Sequence, residues 1–361
     1  MKKVLVKSRK IERKLTHALG IALAMLAAGF ATEAFAANVA PVPRGPDSAA
    51  RWSGKVTDEA DAPPYKEQRF LFGKPAKKNA RAQMAHARAL EKEGRTSAAR
   101  KAYNALVHQW GSAPEAAEAQ FGVARLLEKA GKLQPAFREY QYFIENYSVG
   151  NVLEGATYSD VIDAQFAVAN ATRAKYENGG LFSTPSYELV TAMYRKIVEN
   201  APEWERAPEC MMYAAACFEK EKEYDEAISA YEVLSVRYPQ SGYGNDALYR
   251  AAFCRYNISK KHVRDERTMN NALVALTKAV AAAPEHESAS EASGKIAEIS
   301  QQLAEMNFEK ARFYDEIRKN PEAAIIAYTD FIEKFPASKS TEKAKERLAQ
   351  LKSEKYAAPS K

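Results

Sequence analysis

One spacing pattern recurs six times along this chain. A small or branched residue is followed four positions later by an aromatic residue (once a leucine), and seven beyond that by a helix-ending residue. The copies are Ala99-Tyr103-Trp110, Ala136-Tyr140-Tyr147, Val190-Tyr194-Ala201, Ala227-Tyr231-Tyr238, Ala272-Leu276-Ala283 and Ala324-Tyr328-Phe335. Residues four and seven apart share one helix face. Each copy therefore puts a small residue, which admits a neighbouring helix, beside a large one, which fills the remaining space. Three copies run into proline, as Tyr238-Pro239, Ala283-Pro284 and Phe335-Pro336. Proline cannot continue a helix and so marks a turn.

A helical unit of this size cannot bury its apolar face alone; stacking on its neighbours makes the core. The intervals between equivalent ends are 37, 54, 37, 45 and 52 residues, against about 34 for a tetratricopeptide unit. The longer intervals require long first helices or inserted loops. Asn178-Gly179-Gly180 is expected to end one such helix, and Asn257 to His262 to form another loop. Ala119–Leu127, Tyr213–Phe218 and Tyr249–Cys254 read as first helices of their pairs. The expected fold is all-α: a right-handed solenoid of about six tetratricopeptide-like helix pairs with a C-terminal capping helix around Thr341–Leu351.

The N-terminus reads as a secretory signal. A basic stretch (Lys2 to Lys14) precedes an apolar run from Ala18 to Phe30 and the small-x-small site Ala34-Phe35-Ala36. The apolar run is about 13 residues, short of the roughly 20 that span a bilayer. The expected organisation is a signal peptide over 1–36, a proline-rich linker over 37–76, the solenoid over 77–356 and a tail over 357–361. The chain carries a formal net charge of +7. Seven basic and two acidic residues lie in 1–36, which leaves +2 for the mature chain. That balance gives no electrostatic support to a nucleic-acid partner.

Catalytic patterns are absent. The five histidines (17, 86, 108, 262 and 286) have no metal-ligand spacing. His286 reads as a solvated residue of an inter-repeat turn. No phosphate-cradling glycine loop, nucleophile elbow or zinc-protease motif occurs. Cys217 and Cys254, 37 apart, occupy equivalent repeat positions and read as small core residues, although a bridge between adjacent first helices is geometrically open. The run Glu219–Glu223 reads as a solvated face. The expectation is a protein with no enzymatic activity, cofactor or metal, whose function lies in a surface. Tyr158, Tyr187, Tyr243 and Tyr256 fall off the repeat pattern and are candidates for partner contact.

The C-terminal half carries a more specific signature. Val263-Arg264-Asp265-Glu266-Arg267-Thr268 leads into Ala272–Leu276. A long helix then runs through Ile296–Ile299 and Leu303-Ala304-Glu305 to Ala311-Arg312-Phe313-Tyr314. Ala323-Ala324-Ile325 and Phe335-Pro336-Ala337-Ser338 follow, and Tyr238-Pro239-Gln240-Ser241 is an earlier turn of the same type. This order resembles the BamD family, the tetratricopeptide component of the outer-membrane β-barrel assembly machinery. The resemblance is fullest over residues 200–350. It implies a periplasmic scaffold at the inner face of the outer membrane. Residues of about 241–335 would dock a periplasmic domain of the barrel-assembly protein, and residues of about 80–200 would face unfolded outer-membrane proteins. That family is normally lipidated. No cysteine stands near Ala36, so the resemblance implies attachment through the partner. A repeat adaptor for another envelope machine, such as pilus or secretin assembly or cell-division and peptidoglycan coordination, would show the same fold and the same lack of chemistry.

Overall fold

The computed structural model describes residues 74–147, 157–179 and 187–357. The expected signal peptide, most of the linker and the last four residues lie outside the described residues. Thirteen α-helices and no strand occur among those described. The chain divides between Lys222 and Glu223 into two compact units.

The N-terminal unit contains α1 (Ala80–Lys92), α2 (Thr96–Gln109), α3 (Ala116–Lys129), α4 (Leu133–Asn146), α5 (Tyr158–Glu177), α6 (Glu188–Asn200) and α7 (Ala207–Glu221). The C-terminal unit contains α8 (Tyr224–Arg237), α9 (Tyr243–Lys261), α10 (Glu266–Ala282), α11 (Ala289–Arg312), α12 (Pro321–Lys334) and α13 (Thr341–Ala357). A π-helical turn, Phe313–Ile317, follows α11 directly. Within each unit every helix packs on its neighbours in sequence, which is how a helical solenoid builds its core. In chain order, first and second helices alternate six times and end on α13.

The eleven repeat-core positions, Ala99, Tyr103, Ala136, Tyr140, Tyr194, Ala227, Tyr231, Ala272, Leu276, Ala324 and Tyr328, are all buried. The packing between pairs is tight. A methyl group on Gly122 of α3 would sit 3.2 Å from ring carbons of Tyr103 on α2, so any side chain there would push the ring by a few tenths of an ångström. In four of the six pairs the first and second helices are joined by a short turn that puts one residue in the left-handed region: Gly94 (φ 75°), Gly131 (φ 70°), Lys222 (φ 64°) and Lys319 (φ 48°). Glycine adopts this conformation without strain, whereas a side chain resists it.

Two expectations change here. Asn257–Lys261 is not a loop: α9 runs to Lys261, and the turn begins at His262. The polar residues are held helical by tertiary contacts. The Tyr256 hydroxyl and the Lys260 ammonium both reach Glu298 of α11 at 2.7 Å, while the Ser259 hydroxyl donates back to the Tyr256 carbonyl within α9. His286 is not solvated either. Its ring stacks on Tyr249 at 4.5 Å and its Nε2 lies 2.7 Å from Asp246. The Ser288 N–H donates to Nδ1, which leaves Nε2 as the protonated nitrogen that donates to Asp246.

Candidate docking surfaces

The surface of the N-terminal unit is laid out by its first helices. Arg88 of α1 grips Glu118 of α3 through both carboxylate oxygens, at 2.6 and 2.5 Å. Arg125 of α3 reaches back to Glu91 of α1 at 2.6 Å. Glu91 also accepts the Tyr103 hydroxyl at 2.9 Å, and Glu128 accepts that of Tyr140 at 2.6 Å. Burial, together with the adjacent carboxylate, pushes both phenols up, so they remain neutral donors.

Between α5 and α7 lies a stack of alternating charge and ring. The Arg206 guanidinium sits 3.9 Å over Phe166, Phe166 stacks on Tyr213 at 6.3 Å, and Arg173 sits 3.9 Å over the other ring of that pair, Tyr213. Arg206 is held from behind by Glu209 at 2.8 Å. Such cation–π contacts fix long side chains that would otherwise be mobile.

In the C-terminal unit, Glu298 of α11 accepts from both Tyr256 and Lys260 of α9 at 2.7 Å. The Lys260 hydrogen bond, with that of Tyr256, holds the Glu298 carboxyl below its usual range. At the end of α11 the π turn presents Asp315 inward. That carboxylate is gripped by Arg347 of α13, through Nε at 2.8 Å and Nη2 at 2.9 Å, and accepts the Tyr328 hydroxyl at 3.3 Å. The same turn faces Phe313 and Ile317 outward, 44 % and 70 % exposed. All the exposed large hydrophobic residues among those described belong to this unit; the others are Val233, Val236, Val263, Val274 and Ile326. Val236, Val274 and Ile326 lie opposite the core stripes of α8, α10 and α12.

The four tyrosines read as contact candidates are not brought together. Tyr187 and Tyr256 are buried, each 9 % exposed. The Tyr187 backbone N–H donates to Glu221 and its ring meets that of Tyr176. Tyr158 donates its hydroxyl to the Asn200 carbonyl at 2.6 Å, and burial pushes it up to about 12. Tyr243 is half-buried at the start of α9. Tyr158 and Tyr256, on first helices, and Tyr187, at the start of the second helix α6, are taken up by packing and hydrogen bonds to neighbouring helices.

The run Glu219–Glu223 is likewise more than a solvated face, since Glu221 accepts from Tyr187 and Lys220 pairs with Glu177 of α5. The three cysteines are buried and outside any disulfide; burial pushes the Cys217 thiol up to about 11. Among the described residues, no group of three His, Cys, Asp or Glu side chains could hold a metal ion, and no helix is long and apolar enough to cross a membrane.

Sequence reading missed the tyrosine acceptors. Glu91 and Glu128 lie twelve residues before Tyr103 and Tyr140, a spacing visible in the sequence. Asp315 lies thirteen before Tyr328, because the π turn inserts one extra residue at the end of α11 while the connecting turn keeps the same length.

Comparison with known proteins agrees with this layout. Residues 84–150 and 209–241 match tetratricopeptide-repeat families. Residues 255–358 match the YfiO family, described as outer membrane lipoprotein. No curated protein sequence matches the chain. Among solved structures, one similar chain is YrrB, described as a TPR protein with an unusual peptide-binding site, at 19 % identity and TM-score 0.30 over 60 % of this chain and 92 % of that one. The apo form of RapI is similar at 14 % identity and TM-score 0.31, over 76 % of this chain and 75 % of that one. A tetratricopeptide repeat protein from Parabacteroides merdae ATCC 43184 is similar at 13 % identity and TM-score 0.27, over 76 % and 98 %. The chain thus carries tetratricopeptide repeats, and its C-terminal unit contains a segment similar to the YfiO outer membrane lipoproteins.

Proposed function

We propose that this protein is a non-catalytic, BamD-like scaffold that binds other proteins during outer-membrane β-barrel assembly. It would act in the periplasm, held peripherally at the outer membrane. The C-terminal unit would dock a folded periplasmic domain of the barrel-assembly protein, and the N-terminal pairs would face unfolded outer-membrane precursors. The observation that carries this reading is the YfiO match over residues 255–358, which falls in the unit bearing all the exposed large hydrophobic residues among those described.

Phe313 and Ile317 suit an anchor. They are one helical turn apart on a segment that Asp315, Arg347 and Tyr328 hold in place, so little side-chain or backbone freedom is lost on docking. Burying each would contribute about 1.5–3 kcal/mol, the scale of a binding hot spot.

The test is capture from cross-linked envelope with the tagged chain, read by mass spectrometry, beside the double variant Phe313→Ser/Ile317→Ser. Recovery of the barrel-assembly protein by the wild type, and its loss from the variant, is the expected result. Recovery of a secretin, pilin or cell-wall enzyme in its place would refute the barrel-assembly reading.

A further inference from the structure

Charge is distributed unevenly along the described chain. Residues 74–101, the lead-in to α1, α1 itself and the first turns of α2, hold nine basic and two acidic residues, a net +7. Residues 102–361 hold 32 basic and 37 acidic residues, a net −5. The two acids of the basic stretch are already engaged, Glu91 by Arg125 and Tyr103, and Glu93 by Arg95. Arg88 is spent on Glu118. Lys74, Lys77, Lys78, Arg81, Lys92 and Lys101 are exposed and make no ion pair among the described residues.

These charges are held in place by the fold. Gln83, 1 % exposed, accepts the backbone N–H groups of Ala76 and Lys77 at 3.0 Å and donates to the Ala102 carbonyl at 3.0 Å. The lysine-bearing lead-in is thereby pinned against both helices of the first pair. Along α1, Arg81, Arg88 and Lys92 share one face, with the small exposed Ala85 and Ala89 between them. From Lys78 to Lys92 this stripe is about 20 Å long at the helical rise. It also runs against local preference. α3 and α5 through α13 each carry an acidic residue in the first turn. α1, α2 and α4 have none, and α1 stacks lysines and an arginine at the positive end of its dipole. A stretch that forgoes local stability in this way is expected to serve something outside the fold.

We propose that this basic face of the first helix pair is a docking surface for a bilayer bearing anionic phospholipid headgroups. Residues 74–101 contain no aromatic side chain on which a base could stack. They contribute none of the exposed large hydrophobic residues that would anchor a folded protein. What remains is a broad set of fixed point charges separated by small residues. A layer of phosphate headgroups satisfies such a set, and clusters of four to eight basic residues are the sequence form such recognition takes. Bound this way, the chain touches the membrane through its first helix pair.

The test is co-sedimentation of the purified secreted chain with vesicles of phosphatidylcholine alone and of phosphatidylcholine with phosphatidylglycerol. Binding is expected only to the anionic vesicles. It should fall at least tenfold as salt rises from roughly 0.1 M to 1 M and the screening length shrinks from about 10 Å to about 3 Å. Near a charged surface each residue is worth on the order of fivefold in affinity. The variant K74Q/K77Q/K78Q/R81Q should therefore lose at least about tenfold in partitioning. A control that removes four exposed lysines from the C-terminal unit, K310Q/K339Q/K343Q/K352Q, should lose less than about twofold. Circular dichroism and melting temperature establish that both variants are folded. Equal binding to neutral vesicles, equal losses in the two variants, or retention on polyglutamate with none on anionic vesicles would overturn the proposal. None of these outcomes bears on capture of the barrel-assembly protein by Phe313 and Ile317.

Discussion

Replacing Arg347 with methionine tests how the closing helix is fastened. The substitution keeps the apolar stem and removes the guanidinium that makes two hydrogen bonds to Asp315, at 2.8 and 2.9 Å. The Asp315 side chain is only 7 % exposed, while that of Arg347 is 37 % exposed. Hydrogen bonds to charged groups are worth about 1.5–3 kcal/mol each, but water screens the arginine side, so the full sum does not apply. The larger effect is the carboxylate left nearly buried with the Tyr328 hydroxyl as its remaining donor. The expected loss is about 2 kcal/mol at pH 7. The hydrogen bond from Arg347, opposed by burial, holds the Asp315 carboxyl below its ordinary range. A depressed carboxyl contributes stability above the unfolded value, about 4, and loses it as pH falls through the lower folded value. The gap between wild type and variant should therefore be full at pH 7 and close progressively below about pH 4. Urea unfolding followed by far-UV circular dichroism at several pH values measures it. A variant within about 0.5 kcal/mol of wild type at pH 7, or a gap that does not change in acid, would refute the reasoning.

Four further outcomes follow from the packing. Ala324→Leu puts a larger side chain at a fully buried helix contact and should destabilise by about 1–3 kcal/mol; an unchanged melting temperature would mean the stacking register is wrong. Gly122→Leu should be worse, because the Tyr103 ring already lies 3.2 Å from where the first added carbon would sit and its hydroxyl is tied to Glu91; soluble, cooperatively unfolding protein of wild-type stability would contradict this. Tyr140→Phe removes a 2.6 Å hydrogen bond to Glu128 and should lower unfolding free energy by about 1–2 kcal/mol, read in a denaturant titration. Lys319→Gly relieves a left-handed residue at φ 48° and should raise stability by about 0.5–1 kcal/mol; a loss in the same titration would show that the lysine side chain matters more than its backbone.

Much of the architecture is legible in the sequence because a helical repeat writes its packing into residue spacing. Ala227, Tyr231 and Leu234 form one stripe in the sequence and one buried face in the fold. The closing helix expected at Thr341–Leu351 begins at Thr341 and continues to Ala357. Asn178 does cap the long α5. The failures share a cause. Asn257 to Lys261 looked like a loop because its residues favour turns locally, yet contacts to α11 hold them helical. Tyr187 and Tyr256 fell off the repeat pattern, yet each is enclosed by the neighbouring pair. A spacing rule sees one helix face at a time and is blind to side chains that fill the seam between pairs.

The sequence by itself determined the helix pairs, their small-large core register and the concentration of positive charge in residues 74–101. Local periodicity and composition carry that information without reference to the rest of the chain. Only the tertiary structure decided which carboxylates are acceptors and which merely solvate the surface, that Asp315 is buried under Arg347, and that Phe313 and Ile317 face outward. Those outcomes depend on where helices from different pairs meet and on the π turn at Phe313–Ile317, whose extra residue sets the Asp315–Tyr328 spacing.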